Sequence, residues 1–438
     1  MTDAGLRAID LRFLVPELPE SVRLIGEPPG WRRGLVAAGI QIGGEEAPLT
    51  VAAAGRAAEA LGSANVIVLG VRGARALRLA GYVTRTVLVR PRVFVPIDAQ
   101  AACAHALLAQ HPHRSAAKRA AARLVLTALR LGIPAGPAAI VATRSARRPA
   151  LLEAAAATGA AIGDDWYILR GGGDDLQRLV CLCFDGSRPR TAVKWTRVPG
   201  NADPFERDAA AGKRLAAIPA PIREHAVRHQ GRFRMGAFEG VAESAARGVS
   251  LQDLLAAGRD ERAVVDAVAQ WIIDLGRATR ADGGVFQHTD LGTWNVLVEG
   301  SRFTVVDWES SRQGEPLWDL AYFLSDALTA AGPRDPEARV RSMLALHRGD
   351  AKESGRFFRW LELGAKAFDV DAVGDVVLRG WQHHSRSHDR RSDRGRALRG
   401  ETGGAAERGP LERLAGPWLD DPDLGADWPA FARWRAKA

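Results

Sequence analysis

The sequence predicts an α+β chain in which an N-terminal α/β unit precedes a small β-rich segment and then a mainly helical one. Three observations carry this. Short apolar runs closed by glycine recur up to about residue 200. The apolar period becomes helical beyond about residue 250. A Pro- and Gly-rich break, Ile133-Pro134-Ala135-Gly136-Pro137, separates the first unit from the rest of the chain. The 438 residues allow two or three domains, and 47% hydrophobic with 25% charged residues is enough apolar material for a sizeable core. No run reaches the roughly 18 apolar residues of a membrane span, so no transmembrane segment is expected. The first residues, MTDAGLRAIDLRFLVPELPE, mix acids with arginines where a secretory leader would show a basic start and an apolar stretch. A cytoplasmic location is therefore expected.

Residues 1–150 read as the α/β domain. Val66-Ile67-Val68-Leu69, closed by Gly70, and Thr86-Val87-Leu88-Val89 read as strands, with a short helix over Ala74–Gly81 between them. Gly70-x-x-Gly73 could bring backbone N–H groups to an anion, but two glycines at a strand end more often make a turn. Residues 101–150 hold eight basic side chains and no acid, mostly along and just after an Ala- and Leu-rich helix at Ser115–Leu131. Two readings stand: a weak contact with an anionic surface, or a solvated face with apolar residues turned inward, and the alanine spacing favours the second. A boundary is expected near 145–160.

Residues 160–242 read as strand, turn, strand, turn, strand and helix. Trp166-Tyr167-Ile168-Leu169 leads into Gly171-Gly172-Gly173, then Val180–Phe184, an Asp185-Gly186 turn and Thr191–Trp195. A helix is expected from about Asp203 to Leu215, with Pro204 suited to its first turn. Residues 243–378 are mainly helical. Residues 379–410, with His383, His384 and His388 among Arg, Ser and Gly, lack periodic apolar residues and read as an exposed linker or disordered segment rather than a metal tract. The tryptophan-rich residues 411–438 read as a C-terminal cap. Only Cys103, Cys181 and Cys183 are present, too few for a disulfide framework, so buried reduced thiols are expected.

Charge is unevenly spread. The chain carries a net +9, yet residues 241–378 hold 22 acidic against 15 basic side chains. That excludes one continuous nucleic-acid face, and no specific nucleic-acid partner is expected. The acidic segment contains the sharpest motif: Gln287-His288-Thr289-Asp290-Leu291-Gly292-Thr293-Trp294-Asn295, a hairpin-like pair of strands, then Val306-Asp307-Trp308-Glu309. Phosphoryl transfer from ATP needs positioning and charge neutralisation. One carboxylate orients the acceptor hydroxyl, while an amide oxygen and a second carboxylate hold magnesium against the phosphates. A His-x-Asp-x4-Asn spacing lets one loop carry the base and a metal ligand, and the hairpin returns the second carboxylate beside them.

This block resembles the catalytic core of aminoglycoside phosphotransferases and the related choline and homoserine kinases over roughly residues 160–375. The resemblance implies a bilobal protein-kinase-like fold, with a small β-rich N-lobe at 160–242 and a mainly helical C-lobe at 243–378. It implies Asp290 as the catalytic carboxylate and Asn295 and Asp307 as magnesium ligands. His288 would brace the loop, and Asp319 in Trp318-Asp319-Leu320 would anchor it. Lys194 in Ala192-Val193-Lys194 would contact ATP phosphates, held by Glu206, with Asp208 the competing carboxylate. Gly171, Gly172 and Gly173 would cover the phosphates, although they do not form G-x-G-x-x-G and are followed by Asp174 and Asp175. Glu243–Gly248 looks like the hinge between lobes. Thr289 stands where the family commonly has glycine, placing a β-branched residue in a tight loop.

The expected activity is a magnesium-dependent transfer of the γ-phosphate of ATP, or GTP, to a hydroxyl of a small molecule. The acidic segment mildly favours a cationic or polyhydroxylated acceptor. Two other readings compete. One is a pseudokinase-like nucleotide-binding or scaffold module, favoured by the irregular glycine run. The other is a bifunctional enzyme, with residues 1–150 carrying a separate transferase site in a crevice near Gly70 and Gly73.

Overall fold

The computed structural model describes residues 8–437 apart from 27–30, 38–39, 91–92, 110–115, 132, 134–135, 171–177, 198, 333–334 and 400–407. The chain divides into two compact units. One comprises Met1–Phe205 with Arg228–Ala246, the other Glu206–Val227 with Arg247–Ala438.

The first unit is built on one twelve-stranded sheet. Its strands are β1 (Ser21–Ile25), β2 (Gln41–Ile42), β3 (Leu49–Ala52), β4 (Asn65–Val68), β5 (Val83–Arg90), β6 (Val93–Pro96), β7 (Ala138–Thr143), β8 (Trp166–Arg170), β9 (Leu179–Asp185), β10 (Arg188–Trp195), β11 (His229–Met235) and β12 (Phe238–Ser244). They lie in the order β11-β12-β10-β9-β8-β6-β5-β7-β4-β3-β1-β2. The β2-β1-β3-β4 end is parallel and the remainder antiparallel. Every residue of β3 is buried, and its one polar side chain, Thr50, is satisfied by the Ser63 hydroxyl at 2.6 Å.

The expected boundary at 145–160 falls inside this sheet. β6 pairs with β8 through Val93↔Leu169 and Phe94↔Ile168, joining residues of the first 150 to the later strands. An edge strand carries a row of unpaired backbone groups, and pairing β6 with β8 covers both edges. The first 150 residues are therefore not a separate compact unit.

The Gly70-x-x-Gly73 element is a turn. Both glycines have positive φ, and a Cβ at Gly73 would lie 2.3 Å from that of Ala57. A cavity of about 300 Å³, lined in part by Arg85, Arg148 and Trp166, sits at the opposite end of β4, where Asn65 is the register partner of Thr143. The helix expected at 115–131 forms at Ala116–Arg130. All three cysteines are buried and free, with the Cys181 and Cys183 sulfurs 4.0 Å apart on one face of β9.

The second unit is mainly helical. Its principal helices are α1 (Asp203–Ala216, from Glu206 onward), α2 (Arg262–Ala278), α3 (Trp318–Thr329), α4 (Pro336–Arg348), α5 (Ser354–Phe368) and α6 (Val373–Arg399). Short strands accompany them: β13 (Val249–Ser250), β14 (Val285–Gln287), β15 (Val296–Glu299), β16 (Arg302–Val305) and β17 (Arg312–Gly314). α3 is apolar nearly all round and is buried continuously from Asp319 to Ala327, as a central helix must be.

The linker expected at 379–410 is corrected over its first half, since α6 runs through to Arg399. Its apolar period is weak, but aromatic stacking replaces it: His384 stacks on Tyr322 with ring centroids 4.2 Å apart, and His383 on Trp318 at 4.9 Å. Residues near the C-terminus pack against α4 and α5. Trp428 Nε1 donates to the His347 carbonyl at 2.9 Å, and Phe431 meets Phe358 edge-on at 5.7 Å. Among the described residues no helix is long and apolar enough to cross a membrane.

Candidate active site

β14 ends at Gln287 and delivers the chain into the loop His288–Asn295, whose path is fixed from α3. Asp319, in the first turn of that helix, accepts from the backbone N–H of His288 at 2.6 Å and of Thr289 at 2.8 Å. Gln287 closes the arrangement by accepting from the Asp319 N–H at 2.9 Å. Burial pushes the Asp319 carboxyl up to about 6, against the opposing pull of the two N–H donors.

Two turns along α3, the fully buried Asp326 accepts from the Thr293 N–H at 2.8 Å, from the Thr293 hydroxyl and from Arg339. Between them Tyr322 directs its hydroxyl at Asp290 Oδ1, 3.5 Å away. Spacings of three, four and seven residues put Asp319, Tyr322 and Asp326 on one helical face. The loop is thus held at its start and end, and its functional carboxylate is met in the middle.

His288 is fully buried and its tautomer follows from its partners. Nε2 donates to the Val306 carbonyl at 2.8 Å, so Nδ1 accepts from the Asp290 N–H at 3.3 Å. The ring also packs against Trp308, with centroids 4.8 Å apart. Thr289 adopts φ 61°, the left-handed region that a β-branched residue avoids. Its hydroxyl offsets that strain by donating to the Ser310 carbonyl at 2.6 Å.

The hairpin does what its length implies. Val296↔Val305 register and the Val306 N–H bond to the Asn295 carbonyl, 2.9 Å, bring Asp307 back beside the loop. Asp307 itself has φ 75° and opens a short 3₁₀ turn, a strained placement of the kind found at functional positions. Asn295 donates its amide nitrogen to the Asp290 carbonyl at 2.8 Å, with Asp290 Oδ2 at 3.5 Å. That assignment leaves the amide oxygen as the ligand atom. Among the described residues no three His, Cys, Asp or Glu side chains gather into a metal cage. An amide oxygen beside carboxylates is the kind of hard-oxygen donor set that could hold Mg²⁺ shared with phosphates and water.

In the first unit Lys194 lies on β10 and is buried. Its ammonium meets Glu243 Oε1 at 2.7 Å. Glu243 is the diagonal cross-strand neighbour, since Lys194 pairs with Val241 and Ala192 with Glu243. A neighbouring strand thus supplies the lysine with a carboxylate at ion-pair distance. Glu206, expected to hold it, is exposed on α1, and Asp208 is buried. Gly171, Gly172 and Gly173 lie outside the described residues. The unit boundary at 246/247 falls in the segment expected to be the hinge.

Residues 132–358 match the family model of the phosphotransferase enzyme family, APH. That is more than half of the chain. The chain belongs to this phosphotransferase family. No curated protein matches it in a sequence search. Among solved structures, a thermostable mutant of aminoglycoside phosphotransferase APH(4)-Ia in its apo form is similar at 15% identity, covering 58% of this chain and 94% of its own, with a TM-score of 0.34. Aminoglycoside phosphotransferase APH(4)-Ia is similar at 15% identity over 55% and 95%, with a TM-score of 0.30. The matched span takes in His288, Asp290, Asn295, Asp307 and Asp319, together with Lys194 and Glu206. Sequence reasoning missed Tyr322, Asp326, Thr293 and Glu243. The seven-residue spacing of Asp319 and Asp326 on one apolar helix was the available signal for the second anchor.

Proposed function

We propose that the protein is a magnesium-dependent kinase that moves the γ-phosphoryl group of ATP onto a hydroxyl of a small molecule. The observation that carries the reading is the Asn295 side chain, whose nitrogen is spent on Asp290 while the hairpin returns Asp307 beside it. One loop and one hairpin thereby present a carboxylate for the acceptor together with oxygen ligands for a cation. When bound, magnesium supplies charge neutralisation of the phosphates and a template for in-line transfer.

The chain's own residues then have defined work. Asp290 orients the acceptor hydroxyl and takes its proton as the new bond forms, leaving ADP. Tyr322 donates toward Asp290 Oδ1 and limits its rotation. His288 and Asp319 keep the loop in register without touching substrate. Lys194, fixed by Glu243, would present its ammonium to the nucleotide phosphates as a point charge.

Calorimetry of ATP binding with and without magnesium tests this, for the wild type and for Asp307→Asn. Magnesium-dependent binding that weakens in the variant supports the kinase. Absence of ATP binding by the folded wild-type chain would overturn it.

A further inference from the structure

The His- and Arg-rich stretch of α6 takes no part in the phosphoryl-transfer chemistry, yet it faces the second unit's site. His384 stacks on Tyr322, the residue that meets Asp290. One turn further on, Ser387 Oγ lies 3.1 Å from His383 Nε2 and 3.5 Å from Arg312 Nη2. Arg312 itself sits on β17 as the register partner of Gln287, one residue before the His288–Asn295 loop.

Four exposed arginines belong to this flank: Arg386 and Arg390 one turn apart on α6, Arg312 joined to α6 through Ser387, and Arg207 bonded at Glu309, three residues before Arg312. Their hydrogen bonds go to neutral acceptors. Arg207 Nε donates to the Glu309 carbonyl at 2.7 Å, Arg390 Nε to the Arg386 carbonyl at 3.3 Å, and Arg312 to Ser387. Among the described residues none of the four has a carboxylate within ion-pair distance. Glu315 is paired with Arg379 at 2.6 Å and Asp389 with Arg408 at 2.7 Å. Arg390 and Arg207 lie close enough to lower the Arg312 guanidinium, after burial as the larger cause. Burial, followed by Arg312, Arg390 and Arg386, also holds His383 neutral, down to about 4. Like charges gathered without counter-charge repel, and a guanidinium fork is suited to a planar or tetrahedral oxyanion.

We propose that Arg207, Arg312, Arg386 and Arg390 form an anion-binding subsite for the acceptor, so that the acceptor carries a phosphate, sulfate or carboxylate group. This rests on the kinase reading and reverses the preference that the segment's net acidity suggests. The acidity is placed at the loop and its anchors, whereas this flank is cationic.

The test uses four acceptors built on one ring: glucose, glucosamine, glucuronate and glucose 1-phosphate. ADP release is followed at saturating magnesium-ATP. The expected result is preference for an anionic member, with Arg312→Gln and Arg390→Gln each raising its KM about tenfold or more while kcat and the KM for ATP stay unchanged. Sodium sulfate is expected to compete with that acceptor. Preference for glucose or glucosamine, equal effects of the variants on all four, or non-competitive sulfate overturns the subsite. If no member is turned over, phenylglyoxal modification read by peptide mass spectrometry decides. Protection of Arg312 and Arg390 by sulfate supports the subsite and lack of protection overturns it. The calorimetric test with ATP reports separately on the kinase reading.

Discussion

Replacing Asp319 by Asn probes how the loop is held, because the change keeps the shape and removes one acceptor. The carboxylate takes two backbone N–H donors, one on each oxygen, at 2.6 and 2.8 Å. An amide offers one oxygen, and its nitrogen must face the second N–H. Losing one charge-assisted bond and leaving a buried donor unmatched costs about 2 kcal/mol at about pH 7. The pH dependence gives a second, independent number. Asp319 titrates at about 6 in the fold against 3.8 for an ordinary aspartate. The folded state therefore binds the proton more tightly than the unfolded state. Its contribution to stability is full below the unfolded value and disappears as pH rises through about 6. Between about pH 5 and about pH 7 the wild type loses about 1 kcal/mol through this group, and the variant loses none of it. The gap between wild type and Asp319→Asn is thus expected to narrow as pH rises. Urea unfolding at the two pH values, monitored by tryptophan fluorescence, measures it. A gap that widens with pH would refute the assignment of a raised carboxyl to Asp319.

Further substitutions test the surrounding frame. Asp326→Ala removes the partner of Thr293 and strands Arg339, so it is expected to cost about 3–5 kcal/mol in denaturant unfolding, more than Asp319→Asn. Thr289→Gly relieves a φ of 61° but loses the hydroxyl bond to Ser310, two terms of about 1 kcal/mol each, and is expected to leave the melting temperature nearly unchanged. Thr289→Val keeps the strain without the bond and is expected to melt measurably lower. Lys194→Ala leaves Glu243 buried and charged and is expected to cost about 3–5 kcal/mol in denaturant unfolding. A loss below about 1 kcal/mol would refute the buried Lys194–Glu243 pair as a stabilising contact.

The loop and the hairpin after it were legible in the sequence because they are local, whereas Asp319, 31 residues from His288, was pointed to by the family resemblance. His288, Asp290 and Asn295 share one loop, and the hairpin that returns Asp307 is short. The features that escaped sequence reading depend on long-range pairing. Glu243 reaches Lys194 only because β12 lies against β10, a contact across 49 residues that no local pattern encodes. The join of β6 to β8 is of the same kind, and it moved the domain boundary from the Pro/Gly break to the edges of a shared sheet. α6 failed for another reason. Its first turns bury Val373, Val376 and Val377, but the stretch beyond them is held by Trp381 and stacked histidines and carries no aliphatic period, so its polar composition read as linker.

One helix explains why the site tolerates a threonine in a left-handed position. Asp319, Tyr322 and Asp326 project from a single face of α3, and that helix is buried along the whole intervening stretch. Rotation or sliding of α3 would break contacts to both ends of the loop together, at 288–289 and at 293. The loop's strain is thus opposed by a rigid core element in addition to the Thr289 hydroxyl bond, as strained functional positions require. The same face carries the link to α6, because Tyr322 touches Asp290 at its hydroxyl and His384 at its ring. An acceptor seated against the arginines of α6 would then be positioned by the same helix that positions its base. Substrate selection and catalytic geometry would share one ruler, and substitutions at Tyr322 should disturb both.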